Sequence, residues 1–303
     1  MKTLISIIGT TGIGKTKLAI EISKHFGTEI ISCDSRQFFR EMKIGTAAPS
    51  KEELSEVQHH FIGNLSVEDY YSIGQFEKDA IQKIEEIFET HDITVLVGGS
   101  MMYEKALIEG LNDLPEANEE NQKKLTEILE NEGISSLQKL LHDLDSGYFK
   151  IVDKDNPRRL LRAIDVIWQT GKSYTENIAE SVQERNFNVI RIGIEASREI
   201  IYERINQRVD LMMQNGLLDE AKSLNHLRNK NLASLNTVGY SELFKYFDGE
   251  WDLDFAVSEI KKNSRRFAKR QLTWYRKEDN IHWVSFENPV EESLSLLQQN
   301  LKI

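Results

Sequence analysis

The chain has 303 residues, 40% hydrophobic and 29% charged, the composition of a soluble globular protein with room for one or two domains, and no apolar run has the length of a membrane span. The formal net charge of −11 argues against indiscriminate adhesion to nucleic acid or anionic membrane, while leaving room for a local basic face. A single cysteine, Cys33, excludes an internal disulfide and a cysteine-based zinc site, so a reducing cytoplasm is the expected home.

Residues 3–8 (TLISII) are β-branched and apolar and stop at Gly9, which predicts a first strand; the run is too short for the core of a signal peptide. Residues 15–26 place Leu18, Ile22 and Phe26 at helical spacing, with Gly27 as the stop. EIISC (29–33) predicts a second strand ending at Asp34. Residues 73–90 predict an amphipathic helix with Ile73, Phe76, Ala80, Ile84 and Ile87 on one side, and HDITVLVGGS (91–100) a third strand with a glycine turn. After about Leu111 the pattern changes to polar helices over 118–132, 135–144, 156–170 and 174–182. FNVIRIGIE (187–195) returns to strand; helices follow over 197–213, 216–228, 239–247 and 254–277, with a last strand at NIHWVSF (280–286).

Strands alternating with helices, with Gly9-x-x-x-x-Gly14-Lys15-Thr16 directly after the first strand, predict an α/β fold: a P-loop NTPase-like parallel sheet flanked by helices, with a helical insertion domain. The expected division is a core over 1–112, the insertion over 113–186, and a third segment over 187–303 that completes the core and adds C-terminal helices.

Between the first strand and the first helix, Gly9-Thr10-Thr11-Gly12-Ile13-Gly14-Lys15-Thr16 has the phosphate-loop pattern in its proper context. Glycines let the backbone curl so that N–H groups point inward, and the helix N-terminus adds partial positive charge. Lys15 brings a full charge to terminal phosphate oxygens, and the Thr16 hydroxyl suits Mg²⁺. The loop alone does not name the donor, and ATP would fit it. In nucleotide-hydrolysing relatives of the loop a second strand normally ends in a magnesium-holding Asp; here VLVGGS (95–100) ends in glycines, and the acid follows the other strand, as Cys33-Asp34-Ser35. Position alone leaves Asp34 evenly divided between a ligand-facing carboxylate and a turn former.

Two segments are basic. In Asn156-Pro157-Arg158-Arg159-Leu160-Leu161-Arg162, Arg158 and Arg162 share a helix face, where pairing with Asp153 or Asp155 is the plainer reading. Residues 261–277 (KKNSRRFAKRQLTWYRK) hold eight Lys or Arg and no acid, interleaved with Phe267, Trp274 and Tyr275. Guanidinium groups hold phosphates and aromatic faces stack on unpaired bases, although Phe267, Leu272 and Trp274 could equally be core.

Several stretches, in one order across nearly the whole chain, resemble the tRNA dimethylallyltransferases, also called isopentenyl-tRNA transferases: GTTGIGKT (9–16), DSRQFFREMKIGTAAP (34–49), QHHFI (58–62), VGGSMMY (97–103), NPRRLLRAIDV (156–166), TVGYSEL (237–243) and AKRQLTWYR (268–276). The resemblance implies that the phosphates are those of dimethylallyl diphosphate and that the acceptor is N6 of the adenosine 3′-adjacent to a tRNA anticodon. It implies Mg²⁺ on Thr16, cradling of the diphosphate by residues 9–16, Asp34 as orienter of the amine and proton acceptor, Thr11 beside the leaving oxygen, and Arg208 (in INQRVDLMMQNGL) on the diphosphate. On spacing alone Arg208 reads equally as a helix-surface residue.

The same resemblance implies tRNA anticodon stem-loop contacts from Asp34, Ser35, Arg36, Gln37, Ser100, Gln122, Arg158, Arg159, Arg162, Thr237, Gly239, Tyr240, Lys269, Arg270, Gln271, Trp274 and Arg276, in a monomer with no membrane partner. Departures from the family pattern are Thr10 for Pro, Ser100 for Thr, Met101-Met102 for Gly-Leu, and Gln122 near a frequent Arg. His59 and His60 match the family's His pair and read as a solvated loop pair. The competing expectation is a P-loop small-molecule kinase, which gives no reason for the basic segment; a non-enzymatic RNA-binding protein would not need the intact loop.

Overall fold

Strand β1 (Thr3–Gly9) is buried at every position, as a strand in mid-sheet must be. Its side chains divide by the twofold period of a strand. Ile5 and Ile7 pack with Leu18 and Ile22 of helix α1 (Lys15–Phe26), whereas Leu4 faces the other way, toward Phe76, Ala80 and Ile84 of a later helix. The computed structural model describes residues 2–112, 114–179, 184–230 and 232–301. The predicted helix over 174–182 is helical over Tyr174–Ala179, and its residues 180–182 lie outside the described residues, as does the expected boundary at 113.

After α1 come β2 (Ile30–Ser32), α2 (Lys51–Glu56), β3 (His59–His60), α3 (Ile73–Thr90), β4 (Ile93–Val97) and α4 (Met101–Glu109). A helical stretch then holds α5 (Glu119–Glu132), α6 (Ile134–Leu144), α7 (Ser146–Ile151), α8 (Pro157–Thr170) and α9 (Tyr174–Ala179). β5 (Asn188–Glu195) is followed by α10 (Arg198–Gln214), α11 (Leu217–Leu224), a 3₁₀ turn at Asn225–Lys230, α12 (Tyr240–Phe247), α13 (Leu253–Tyr275), β6 (Ile281–Ser285) and α14 (Pro289–Leu301).

The strands form one sheet in the order β3-β2-β4-β1-β5-β6, with every pairing parallel. The loops after β1, β2, β4 and β5 therefore leave one edge of the sheet, the edge where open α/β sheets bind ligands. The chain divides into two compact units, residues 1–108 with 185–303, and residues 109–184. The second unit is helical, with its own core of Leu125, Leu137, Leu141, Leu160 and Ile164.

Five elements are absent from the expectations. α2, β3 and α7 are too short to show a period; α7 is begun by Asp145, whose side chain accepts the Tyr148 N–H. α4 starts straight after the glycine turn, where turn chemistry masks it, and α14 follows the last strand.

One buried ion pair ties the sheet to its flank. Arg191 of β5 gives Nε and Nη2 hydrogen bonds to the Glu104 carboxylate of α4, both 2.9 Å, with the partners 7% and 1% exposed. Ser6 Oγ donates to Glu104 at 3.1 Å, and Arg191 Nη1 donates to Glu278 at 3.1 Å. Burial works against the Arg191 charge, but hydrogen bonds and charge from Glu104 and Glu278 outweigh it and raise its pKa. Arg191→Met, which leaves Glu104 buried and unpaired, should cost about 3–5 kcal/mol of unfolding free energy by urea titration. Adding Glu104→Met should recover most of that loss; a single variant as stable as the parent would contradict the assignment.

Candidate active site

Beyond Gly9 the chain turns through Gly12 (φ 79°) and Gly14 (φ 106°), left-handed conformations that a side chain would strain. Gly14 is the N-cap of α1 and offers no side-chain cap, so the helix opens with backbone N–H groups available to an anion. Thr11, Gly12, Gly14, Lys15 and Thr16 line a cavity of about 430 Å³. Gly9, Thr10 and Ile13, also expected to hold phosphate, do not line it. Gly9 closes β1, and Thr10 and Ile13 are each only 2% exposed, so these three shape the loop from behind.

Lys15 is folded back onto the loop, with Nζ donating to the carbonyls of Gly9 (3.2 Å) and Thr10 (2.8 Å). Burial lowers its pKa to about 8, an effect that Asp34 opposes and Arg208 reinforces. Arg208, on α10, donates from Nη1 to Thr11 Oγ1 at 2.9 Å and from Nη2 to the Thr46 carbonyl at 3.4 Å. Its pKa is lowered by burial and partly restored by Asp34. One turn earlier, Arg204 donates to the Gly12 carbonyl at 2.8 Å. Arg204 was not among the residues expected from sequence; its four-residue spacing from Arg208 is the signal that both face the loop.

Asp34 stands just past the end of β2, beside a strand that ends without side chains. A Cβ on Gly98 would lie 2.5 Å from Cys33 Sγ and 2.8 Å from the Asp34 N; one on Gly99 would lie 2.9 Å from Asp34 Oδ2. The glycines thus open the space that the carboxylate occupies. Asp34 Oδ1 accepts the Arg36 N–H at 3.0 Å, an Asx turn that fixes the carboxylate plane. Asp34 lines both the phosphate-loop cavity and a second cavity of about 540 Å³, and Thr11, Arg208 and Phe267 also line both. The second cavity is walled by apolar Ile205, Val209, Met212 and Val238, with Met101 and Met102 at its side. Those methionines give it a flexible thioether surface.

The other expected residues separate by what their side chains already do. Ser35 and Ser100 bond to each other, Oγ to Oγ at 2.8 Å, and the Ser35 N–H donates to Ser100 Oγ at 2.9 Å. Arg36 lines the larger cavity and donates to the carbonyls of Ala233 (2.8 Å) and Ser234 (3.3 Å); burial lowers its pKa against the pull of Asp34 and Tyr103. Gln37 lines the phosphate-loop cavity and donates to the carbonyls of Thr46 and Ala47 at 3.2 and 3.1 Å. Thr237, Gly239 and Arg270 line the larger cavity. Lys269, Arg270 and Arg276 are exposed, and Trp274 is half-buried, with Lys105 Nζ 5.8 Å from its ring.

Two expected RNA contacts are buried props. Tyr240 is 0% exposed; its hydroxyl donates to Glu220 at 2.6 Å, and its ring lies where a Cβ on Gly45 would have to go. Glu220 in turn accepts the N–H groups of Lys43, Ile44 and Gly45 at 2.9–3.1 Å, which fixes the segment that carries Thr46. Gln271 is also 0% exposed and bonds inward, to Thr11 and Gly99. Within the helical unit, Arg158 and Arg159 stand exposed at the start of α8, and Gln122 is half-buried on α5. Arg162 is not an open cation: it donates to the Pro115 carbonyl at 2.6 Å and lies 3.5 Å from buried Asp165. His59 and His60 are half-buried, not solvated. His60 pairs with Glu29 at 2.5 Å; His59 bonds the Val57 carbonyl at 2.8 Å, and burial lowers its pKa.

A parallel α/β sheet whose phosphate loop shares a cavity with a strand-end carboxylate, which also lines a second cavity, defines a phosphate-loop protein. Residues 37–278 match the profile of the family described as IPP transferase. The chain is 55% identical over 284 residues to a tRNA dimethylallyltransferase of Christiangramia forsetii, covering 94% of this chain and 93% of that protein. It is 46% identical over 301 residues to tRNA dimethylallyltransferase 1 of Bacteroides fragilis, covering 99% of each. The crystal structure of the full-length tRNA isopentenylpyrophosphate transferase from Bacillus halodurans is similar over 100% of this chain and 96% of that one, with TM-score 0.73 and 33% identity. A eukaryotic dimethylallyltransferase acting on tRNA shares the fold, with TM-score 0.87 at 23% identity over 99% of this chain and 79% of that one. The chain belongs to the IPP transferase family.

The Tyr240 assignment is checked by Tyr240→Phe, which removes only the hydroxyl bonded to Glu220. It should lower the unfolding free energy by about 1.5–3 kcal/mol in urea titration; an unchanged midpoint would contradict a buried, charge-assisted bond.

Proposed function

We propose that this protein is a tRNA dimethylallyltransferase that moves the dimethylallyl group of dimethylallyl diphosphate to N6 of the adenosine 3′-adjacent to the anticodon, releasing diphosphate. The observation that carries the reading is Asp34: one carboxylate in the wall shared by a cationic, glycine-lined cavity and a larger, more apolar one. The family's relatives, named for prenyl transfer to tRNA, support it over phosphoryl transfer.

In this reading the diphosphate lies on the loop and the helix N-terminus, with Lys15, Arg204 and Arg208 around it. The N6 lone pair attacks C1 of the dimethylallyl group, the C1–O bond breaks, and its electron pair leaves with the diphosphate oxygen. Asp34 accepts hydrogen bonds from the amine and takes its proton as the new C–N bond forms. Arg208 and Thr11, already 2.9 Å apart, stand where charge grows on the leaving oxygen. The apolar wall of the larger cavity takes the prenyl group and a flipped-out base, and keeps water from the reacting carbon.

The residues present fit Mg²⁺. Among the described residues no group of three or more His, Cys, Asp or Glu side chains could cage a metal, but Thr16 offers a hard oxygen on the phosphate-loop cavity. An ion held by Thr16, diphosphate oxygens and water is the ordinary magnesium arrangement, and it would supply further neutralisation of the leaving group. Exposed Lys269, Arg270 and Arg276, and Arg158 and Arg159 of the helical unit, suit RNA phosphates. The reading has the protein act in the cytoplasm, where its tRNA substrate is found; among the described residues no helix is long and apolar enough to cross a membrane.

Incubation with Mg²⁺, labelled dimethylallyl diphosphate and unmodified tRNA bearing that adenosine should transfer label to the RNA. Asp34→Asn should slow the transfer by about 10²–10⁴-fold while sparing tRNA affinity; a rate near that of the parent would remove Asp34 as the base. The Lys15 ammonium is the form that meets the donor, and its pKa of about 8 lies well below the ordinary 10.5. kcat/KM for the donor should therefore fall as pH rises through about 8, since that ratio reports the free enzyme. A profile flat across that range would contradict a buried, easily deprotonated Lys15.

A further inference from the structure

Helix α13 buries Ala256, Ile260, Ala268, Gln271 and Tyr275, a stripe at helical spacing. Leucine or methionine would serve packing at position 271. A primary amide with no exposure is unfavourable there unless both of its ends are bonded. Both are. Gln271 Oε1 accepts the Thr11 N–H at 2.8 Å, and Nε2 donates to the Gly99 carbonyl at 2.8 Å. Thr11 belongs to the phosphate loop; Gly99 belongs to the turn whose missing side chain makes room for Asp34. A Cβ on Gly99 would stand 3.3 Å from Gln271 Nε2 and 2.9 Å from Asp34 Oδ2, so the amide lies against the carboxylate's own pocket.

We infer that Gln271 is a positioning residue for prenyl transfer, one that fixes the spacing between the phosphate loop and the Asp34 turn, and that it is not an RNA contact. The inference rests on the prenyl-transfer reading above. The two bonds run in opposite senses, an acceptor toward Thr11 and a donor toward Gly99, which a carboxamide of this length satisfies and an ionised carboxylate does not; asparagine is one methylene short. With its hydroxyl held by Arg208 as well, Thr11 has its N–H and its hydroxyl fixed before substrate arrives. Displacement at C1 needs amine, carbon and leaving oxygen in line, with the amine placed by Asp34 and the leaving oxygen by the loop. Gln271 links those two supports directly.

The test is Gln271→Met, which keeps length and volume and removes both bonds, with Gln271→Glu beside it. Glutamate keeps the acceptor toward Thr11 and loses the donor toward Gly99. At saturating substrates, kcat per folded molecule of Gln271→Met should fall about 100-fold, the cost of a misplacement of about 1 Å, with tRNA Kd changed less than about twofold. Gln271→Glu should fall between it and the parent. A weakened tRNA Kd with parental kcat would make Gln271 an RNA contact and overturn the inference, as would parental kcat in both variants. If Gln271→Met does not fold, Gln271→Glu carries the test by the same criteria. Asp34→Asn, assayed alongside, separates the two levels. An inactive Asp34→Asn with parental Gln271 variants removes this inference alone; an active Asp34→Asn removes the reading on which it rests.

Discussion

The site depends on a strand that ends without side chains. β4 runs into Gly98 and Gly99, and any Cβ at either position would collide with Cys33 or Asp34. A nucleotide-hydrolysing sheet uses the end of such a strand for a magnesium-holding acid. Here that volume is left open, and the acid comes from β2, on the far side of β4 from the phosphate loop. The carboxylate thereby stands between the place for a phosphate and the place for a second reactant. In the proposed reaction the loop still holds phosphate, and the group beside it is one that would receive a proton.

Electrostatics follows from that placement. Lys15, Arg36 and Arg208 all have pKa values lowered by burial, and all three are partly restored by Asp34. In the free protein these cations are held by backbone carbonyls and by Thr11, with one carboxylate in their midst. A diphosphate would replace weak carbonyl partners with strong anionic ones, so the cost of burying the cations is offset chiefly when substrate is bound. In the proposed reaction the same arrangement would favour the leaving group more as its charge grows, which is the condition for rate acceleration.

Local features were legible in the sequence; long-range ones were not. The phosphate loop, the parallel α/β pattern and the position of Asp34 at a strand end follow from short-range signals of period, glycine and flanking context. The expectation that Arg208 reaches the diphosphate came from family resemblance, since helical spacing alone left it divided between the site and the helix surface; its bond to Thr11 is seen only in the fold. The links across the fold carry no local mark: Glu104 meets Arg191 87 residues away, Glu220 caps a backbone segment 175–177 residues away, and Gln271 reaches Thr11 260 residues away. Gln271 and Tyr240 are buried where RNA contacts were expected, and for one reason: each sits in a run that matches RNA-contacting stretches, and the run does not say which face of the helix turns inward. Arg162 shows the converse, a cation on the expected face already held by Pro115 and Asp165.

The central claim is that Asp34 receives the proton of an adenine amine brought against a donor on the phosphate loop. A crystal structure with tRNA and an unreactive thiolo analogue of dimethylallyl diphosphate tests it most directly. The extruded adenine's N6 should lie within about 3 Å of an Asp34 carboxylate oxygen and in line with C1 of the donor. An N6 out of reach of that carboxylate, with the diphosphate seated elsewhere than on residues 11–16, would contradict it.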